Sequence, residues 1–293
     1  MKTTTLAAIA AAASTAAGAP SSGVIRRQDS SGASIQAGGL LSFPGDTVTS
    51  VSGAFHVPKL SIPVSGPHAN RKGGIYAFSI YVGIGGSPGF GVTTGCTGEL
   101  DGVIRAGIDV YYNGFDDNDM MPFAWYEAGQ PTAGGGFGYA GFNLEAGDLI
   151  RLTASAEGNS LNATIENFGK VESTAGRTPI QSDRPTYGIN EAAAATVCRS
   201  EGGWIVQDHM TETEPSLPVI LANFTNVDFQ ELSIKTKSGA AGSATTAKLL
   251  NMVLPDQGGQ LTECSATSAT ALSCKRVVVQ KPVPRADGAT CEE

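Results

Sequence analysis

The sequence predicts an all-β protein built as a two-sheet antiparallel β-sandwich. Three observations carry this expectation. Apolar and polar residues alternate in short runs of strand length. The runs are cut by 38 glycines and 15 prolines in 293 residues. No segment carries a helical repeat of comparable strength. Eight or more such runs, each with one apolar face, bury those faces best as two packed sheets.

Taken in order, residues 1–19 read as a secretory signal. Lys2 precedes an apolar run from Leu6 to Ala13, and small residues offer cleavage at Ala16 or Ala19. The run is too short and alanine-rich to anchor the chain as a membrane helix. Residues 20–27 form a short prosegment ending in the dibasic pair Arg26-Arg27, a site for a processing protease. Residues 28–39 lack periodicity and are expected to be mobile. The sandwich is therefore placed at 40–280, with 281–293 as a tail. Its runs include DTVTSVSGAFHVP, GGIYAFSIYVGIG, IRAGIDVYYNG, PFAWYEAG, GGWIVQDH and PVILANFTNVDF. In LIRLTASAEGNSLNATIENF, Ile150, Leu152 and Ala154 share one face. After the EGNS turn, Leu161, Ala163 and Ile165 return on the matching face, which makes a hairpin. The Ala192–Ala195 run is too short to stand as a helix, and Lys235–Thr246 reads as a loop.

A net charge of −8 argues against nucleic acid or an anionic membrane as partner. The expected location is extracellular and the expected state a monomer. Secretion permits disulfides, and there are five cysteines. Cys264 and Cys274 bracket a hairpin and pair locally. Cys96 and Cys198 are the long-range pair, closing a loop of roughly 100 residues worth on the order of 4–5 kcal/mol. Cys291 is left over. Asn162-Ala163-Thr164 and Asn223-Phe224-Thr225 are glycosylation sequons.

The chemical inventory is sparse. His56, His68 and His209 stand in unrelated contexts without zinc-site spacing, and His56 reads as a half-exposed sheet residue. There is no G-x-S-x-G elbow and no serine–histidine pairing signature. The glycine-rich GIGGSPGFG lacks the helix and lysine of a phosphate cradle. Asp116 to Asp119, DDND, lacks calcium-loop spacing and reads as a solvated turn. Neither metal nor cofactor is expected.

Four segments carry more: SIYVGIGG, IRAGIDV, AWYEAG and GGWIVQDH, with Cys96 and Cys198 ahead of the second and fourth. They resemble the fungal glutamic peptidases (the eqolisin family), whose segments read W-V-G-I-D-G, I-L-Q-T-G-x-D, A-W-Y-E-W and A-E-[WF]-I-[IV]-E-D. The resemblance runs from about Gly39 to Cys274 and includes DTVTSVSGAFHVP, AGDLIRLT and LTEC…LSC. It implies a sandwich like that of the concanavalin-type lectins and a secreted, zymogen-like layout. It also implies an acid endopeptidase using a glutamine and a glutamate that face each other across a concave sheet. The glutamate activates water and protonates the leaving amine. The glutamine donates to the oxyanion.

Here both catalytic positions differ. The family's glutamine falls on Arg105, and the glutamate of I-[IV]-E-D falls on Gln207. Arg105 still offers donors to an oxyanion. Gln207 cannot take a proton from water, and a general base contributes about 10²–10⁴-fold. Substitute bases are Glu127, Asp208 and Asp109, although Glu127 is expected to pair with Arg105 because buried charges are paired. Other cleft positions are Tyr81, replacing tryptophan, Gly85, replacing aspartate, and Trp125 and Trp204, either of which can instead be core. Three functions stay open. One is an inactive relative that binds peptide or glycan in its groove. Another is an active acid endopeptidase with Glu127 or Asp208 as base and Arg105 as donor. The third is a lectin-like sandwich binding sugar through Tyr111, Tyr112 and Trp125.

Overall fold

The computed structural model describes residues 34–61, 76–85, 103–112, 120–129, 137–158, 160–188, 199–209 and 219–277. The front sheet has seven strands in the order β15 (Lys248–Leu250), β1 (Gln36–Ser42), β12 (Glu201–Asp208), β4 (Tyr76–Ile84), β5 (Val103–Tyr112), β6 (Met120–Gly129) and β7 (Phe137–Gly138). The back sheet runs β10 (Gln181–Asp183), β9 (Ser160–Asn167), β8 (Leu149–Glu157), β2 (Val48–His56), β14 (Asn226–Thr236), β19 (Ala271–Arg276) and β18 (Thr262–Ser268). A short β11 (Thr186–Gly188) also pairs with β9. Two minor sheets join β3 (Leu60–Ser61) to β13 (Asn223–Phe224) and β16 (Val253–Leu254) to β17 (Gly259–Gln260). Neighbouring strands in both large sheets are antiparallel. This is the two-sheet sandwich expected from the sequence.

The core forms between the sheets because each strand turns alternate residues inward. The front sheet supplies Phe78, Ile80, Val82 and Ile84, then Ile104, Ile108 and Val110. The back sheet answers with Val51, Phe55, Ile150, Leu152, Ile165 and Phe229, all buried. The predicted hairpin is present, with Leu152 opposite Ile165 and Ala154 opposite Ala163. Trp204 is fully buried and reaches across the sandwich, its indole N–H donating to the Ser52 carbonyl at 2.8 Å. Its parity on β12 puts it in the core, so it does not stand on the outer face of the front sheet, where the sequence expectation placed it. The predicted Cys264–Cys274 disulfide joins directly opposed positions on β18 and β19.

One boundary needs correction. Residues 36–39 do not belong to a mobile leader; they open β1, an inner strand of the front sheet between β15 and β12. Glycine content hid this strand, and the same glycines make it possible. A Cβ at Gly38, whose φ is +135°, would lie 2.0 Å from the Trp204 carbonyl oxygen. A Cβ at Gly203 would lie 2.5 Å from the Gly39 carbonyl oxygen. The two backbones approach this closely only without side chains.

Of the sequon asparagines, Asn162 is buried, its Oδ1 accepting from the Thr186 hydroxyl at 2.7 Å. Asn223 is half-buried and donates to Ser61 at 2.8 Å. The signal and prosegment, Cys96, Cys198, Cys291 and the tail lie outside the described residues. Among the described residues no helix is long and apolar enough to cross a membrane.

Candidate active site

Alternation that fills the core also sets a second row of side chains on the outer face of the front sheet. The register lines up Gln36, Gln207, Ser79, Asp109 and Phe123 across β1, β12, β4, β5 and β6. The next outward row is Gly38, Ile205, Tyr81, Gly107 and Trp125. The third is Leu40, Gly203, Gly83, Arg105 and Glu127. Leu40, Tyr81, Trp125 and Ile205 form a small apolar cluster in the middle of this face.

In the third row Arg105 is 4 % exposed and Glu127 5 %. Their ion pair, Nη1 to Oε2 at 3.2 Å, is the pairing expected of buried charges. The guanidinium also stands 5.2 Å over the Tyr81 ring, a cation–π contact. The stem of Arg105 occupies space left by Gly83, where a Cβ would come within 3.0 Å of its Cγ. Glu127 Oε1 has no hydrogen-bond partner among the described residues.

The first row holds two polar networks. Gln36 Nε2 donates to Gln207 Oε1 at 2.8 Å and to the Tyr81 hydroxyl at 3.1 Å. The Tyr81 hydroxyl donates to the same Gln207 oxygen at 3.0 Å. Further along, Asp109 Oδ1 accepts from the Ser79 hydroxyl and the Trp125 indole, both at 2.6 Å, and Oδ2 from Tyr111 at 3.3 Å. His209 Nε2 lies 2.9 Å from Ser79 Oγ and 3.4 Å from Asp109 Oδ1. The Ser79 proton is thus committed to Asp109, and this cluster fixes Trp125 rather than arming a nucleophile. Gln36 lies outside the segments singled out from the sequence, and Ser79 and His209, at the ends of SIYVGIGG and GGWIVQDH, carry no signature that pairs them. Counting in twos from Tyr81 and Gln207 places Ser79 and His209 on this face.

Trp125 and Tyr112 offer little open surface, whereas Phe123, in the first row, is 39 % exposed. Trp125 is 7 % exposed and covers Gly107, where a Cβ would lie 2.6 Å from its ring. Tyr112 turns into the core beside Tyr76. Tyr111 packs edge-on against Phe123 and His209. Gly85 follows β4 and donates its N–H to the Glu201 carbonyl at 3.1 Å. Among the described residues no group of three His, Cys, Asp or Glu side chains could hold a metal ion.

Arg105 and Gln207 share this face, yet they do not oppose each other. Strand β4 separates them, and they lie in the third and first rows. The β12 residue in the row of Arg105 is Gly203. In the segment A-E-[WF]-I-[IV]-E-D, position 203 takes the first glutamate and 207 the second. Neither carboxylate is present here.

Asp208 is not available as a substitute base. It is fully buried on the core side of β12, the opposite face from Gln207. Gln257 donates to its Oδ2 at 3.3 Å, and Oδ1 has no partner among the described residues. Burial pushes its carboxyl well above the usual range. Burial likewise lowers the nearby Arg276 to about 10. A raised value in the folded state means that the native protein holds this proton more tightly than the unfolded chain. The associated stability is complete below about pH 4, the ordinary carboxylate range, and is lost as pH rises through the raised value. Urea unfolding from pH 3 to 7 is expected to show stability falling by up to about 1.4 kcal/mol per pH unit from this group, and Asp208→Asn is expected to remove that part of the slope. An identical slope in the variant would contradict this assignment.

The two-sheet sandwich has a solved counterpart. It is the crystal structure of Scytalido-glutamic peptidase with a peptide-based transition-state analogue, matched at 21 % identity and a TM-score of 0.57 over 83 % of this chain and 98 % of that one. At that identity the likeness establishes the fold. Residues 34–276 match the model of the peptidase A4 family, and the chain belongs to that family. An alginate lyase from Klebsiella pneumoniae aligns only loosely, at 10 % identity and a TM-score of 0.25 over 65 % of this chain and 59 % of that one. Among curated proteins, none matches the chain in sequence.

Proposed function

We propose that this chain is a secreted member of the peptidase A4 family that has lost general-base peptide hydrolysis and keeps its concave face as a peptide-binding cleft. The observation that carries this is the row of Arg105. Among its described members the single carboxylate is Glu127, already tied to Arg105 at 3.2 Å. The other carboxylates near the cleft are spoken for. Asp109 accepts from Ser79, Trp125 and Tyr111, and Asp208 faces the core. A hydrolase of this kind needs a carboxylate that can take a proton from water and return it. Secretion is supported by Lys2 and the apolar run after it.

A rearranged enzyme is the second reading. It is favoured by Glu127 Oε1, which has no hydrogen-bond partner among the described residues and lies on the carboxyl group that contacts Arg105. The sugar-binding reading has weaker support, because Trp125 and Tyr112 are buried.

Calorimetric titration at pH 5 with the peptide pool from a pepsin digest of denatured casein tests the binding half of the proposal. Saturable heat with no new peptide termini by mass spectrometry is the expected result. Absence of any binding would overturn the peptide-cleft reading.

A further inference from the structure

We infer that the Gln207 carboxamide is a hydrogen-bond donor station that reads a backbone carbonyl oxygen of a peptide laid in the cleft. This rests on the peptide-binding reading above. One end of the amide is fixed. Gln207 Oε1 accepts from Gln36 Nε2 at 2.8 Å and from the Tyr81 hydroxyl at 3.0 Å. An amide oxygen has two lone pairs, and both are used. The –NH₂ group is thereby turned away from Gln36 and Tyr81. It has no partner among the described residues, and the half-buried side chain stands on the cleft face.

A carboxylate at 207 would behave in the opposite way. It would take the same two donors with one oxygen and present the other, an acceptor, to the ligand. That would repel a peptide carbonyl, so glutamine and glutamate here select opposite ligand groups. Tyr81 is part of the same device, because its hydroxyl supplies one of the two donors that orient the amide. The two substitutions, tyrosine at 81 and glutamine at 207, act together.

The test uses the casein peptide pool and ¹⁵N-labelled full-length mature protein. The Gln207 side-chain resonance is assigned by its loss in Gln207→Glu. On adding the pool at pH 6, the Gln207 –NH₂ signal is expected to shift together with the Trp125 indole signal. Gln207→Glu is expected to bind about tenfold more weakly at pH 6, the loss of one hydrogen bond plus a repulsion. Its affinity should recover toward wild type at pH 3.5, where a protonated carboxyl again has an O–H to donate. Tyr81→Phe should give a smaller loss without that recovery. A moving Trp125 signal with a stationary Gln207 –NH₂ would overturn the donor station and leave the cleft reading standing. Equal affinity of wild type and Gln207→Glu at both pH values would overturn it as well. No shift anywhere on the cleft face would remove both readings.

Discussion

Arg105→Met is expected to destabilise the folded protein by about 3–5 kcal/mol at pH 7, the cost of leaving a buried charge without its partner. Arg105 and Glu127 are almost entirely shielded from water and meet in one ion pair. Removing the cation strands the Glu127 carboxylate, only 5 % exposed, without its ion pair. Water cannot reach it freely, so desolvation is no longer offset. Replacing both partners, Arg105→Met with Glu127→Met, is expected to cost far less than either single change, since well-packed apolar pairs often match a buried ion pair in stability. Urea denaturation of the wild type, both single variants and the double variant at pH 7 measures the coupling directly. Additive losses would show that the two charges do not depend on one another.

The second large effect concerns restoring hydrolysis. Gln207→Glu combined with Arg105→Gln is expected to remain as inactive as the wild type, because position 207 lies two rows from 105 with β4 between them. Gly203→Glu with Arg105→Gln places a carboxylate and an amide in one row, over the bare Gly83. That variant is expected to gain acid-range cleavage, with the base itself contributing about 10²–10⁴-fold. Gly39 limits the gain. A Cβ at 203 meets its carbonyl oxygen at 2.5 Å, so β1 must move, at about 1–3 kcal/mol. Thermal melts belong beside the assay, so that an unfolded variant is not scored as an inactive one. Cleavage by the Gln207→Glu pair and not by the Gly203→Glu pair would return the catalytic position to 207.

Much of this was legible in the residues. Period-two alternation specifies strands strongly, which is why the β8–β9 hairpin, with its two matching faces, followed directly from the sequence. The Arg105–Glu127 pair followed from the family resemblance, which set both residues in one cleft, together with the rule that buried charges are paired. Strand β1 did not, because Gln36 to Gly39 contains two glycines and no alternating apolar set. Its place depends on close approach to β12, a tertiary fact. The site was misjudged for a similar reason. Motif alignment gives position along a strand, whereas facing across a sheet depends on register between strands. Asp208 shows the same limit. One residue from Gln207, it points into the core, because successive side chains alternate. Ser79 and His209 were invisible as a pair because they lie on different strands, joined by the pairing of β12 with β4.

As proposed above, the outer face of the front sheet carries no working base. The direct measurement is cleavage of denatured casein by the purified mature chain across pH 2–6, followed by mass spectrometry of new termini, with Glu127→Gln alongside. The window covers the range in which carboxyl groups titrate. No new termini are expected from the wild type at any pH in the window, and none from Glu127→Gln. Sustained cleavage by the wild type that disappears in Glu127→Gln would contradict it and establish Glu127, beside Arg105, as the base of a rearranged peptidase.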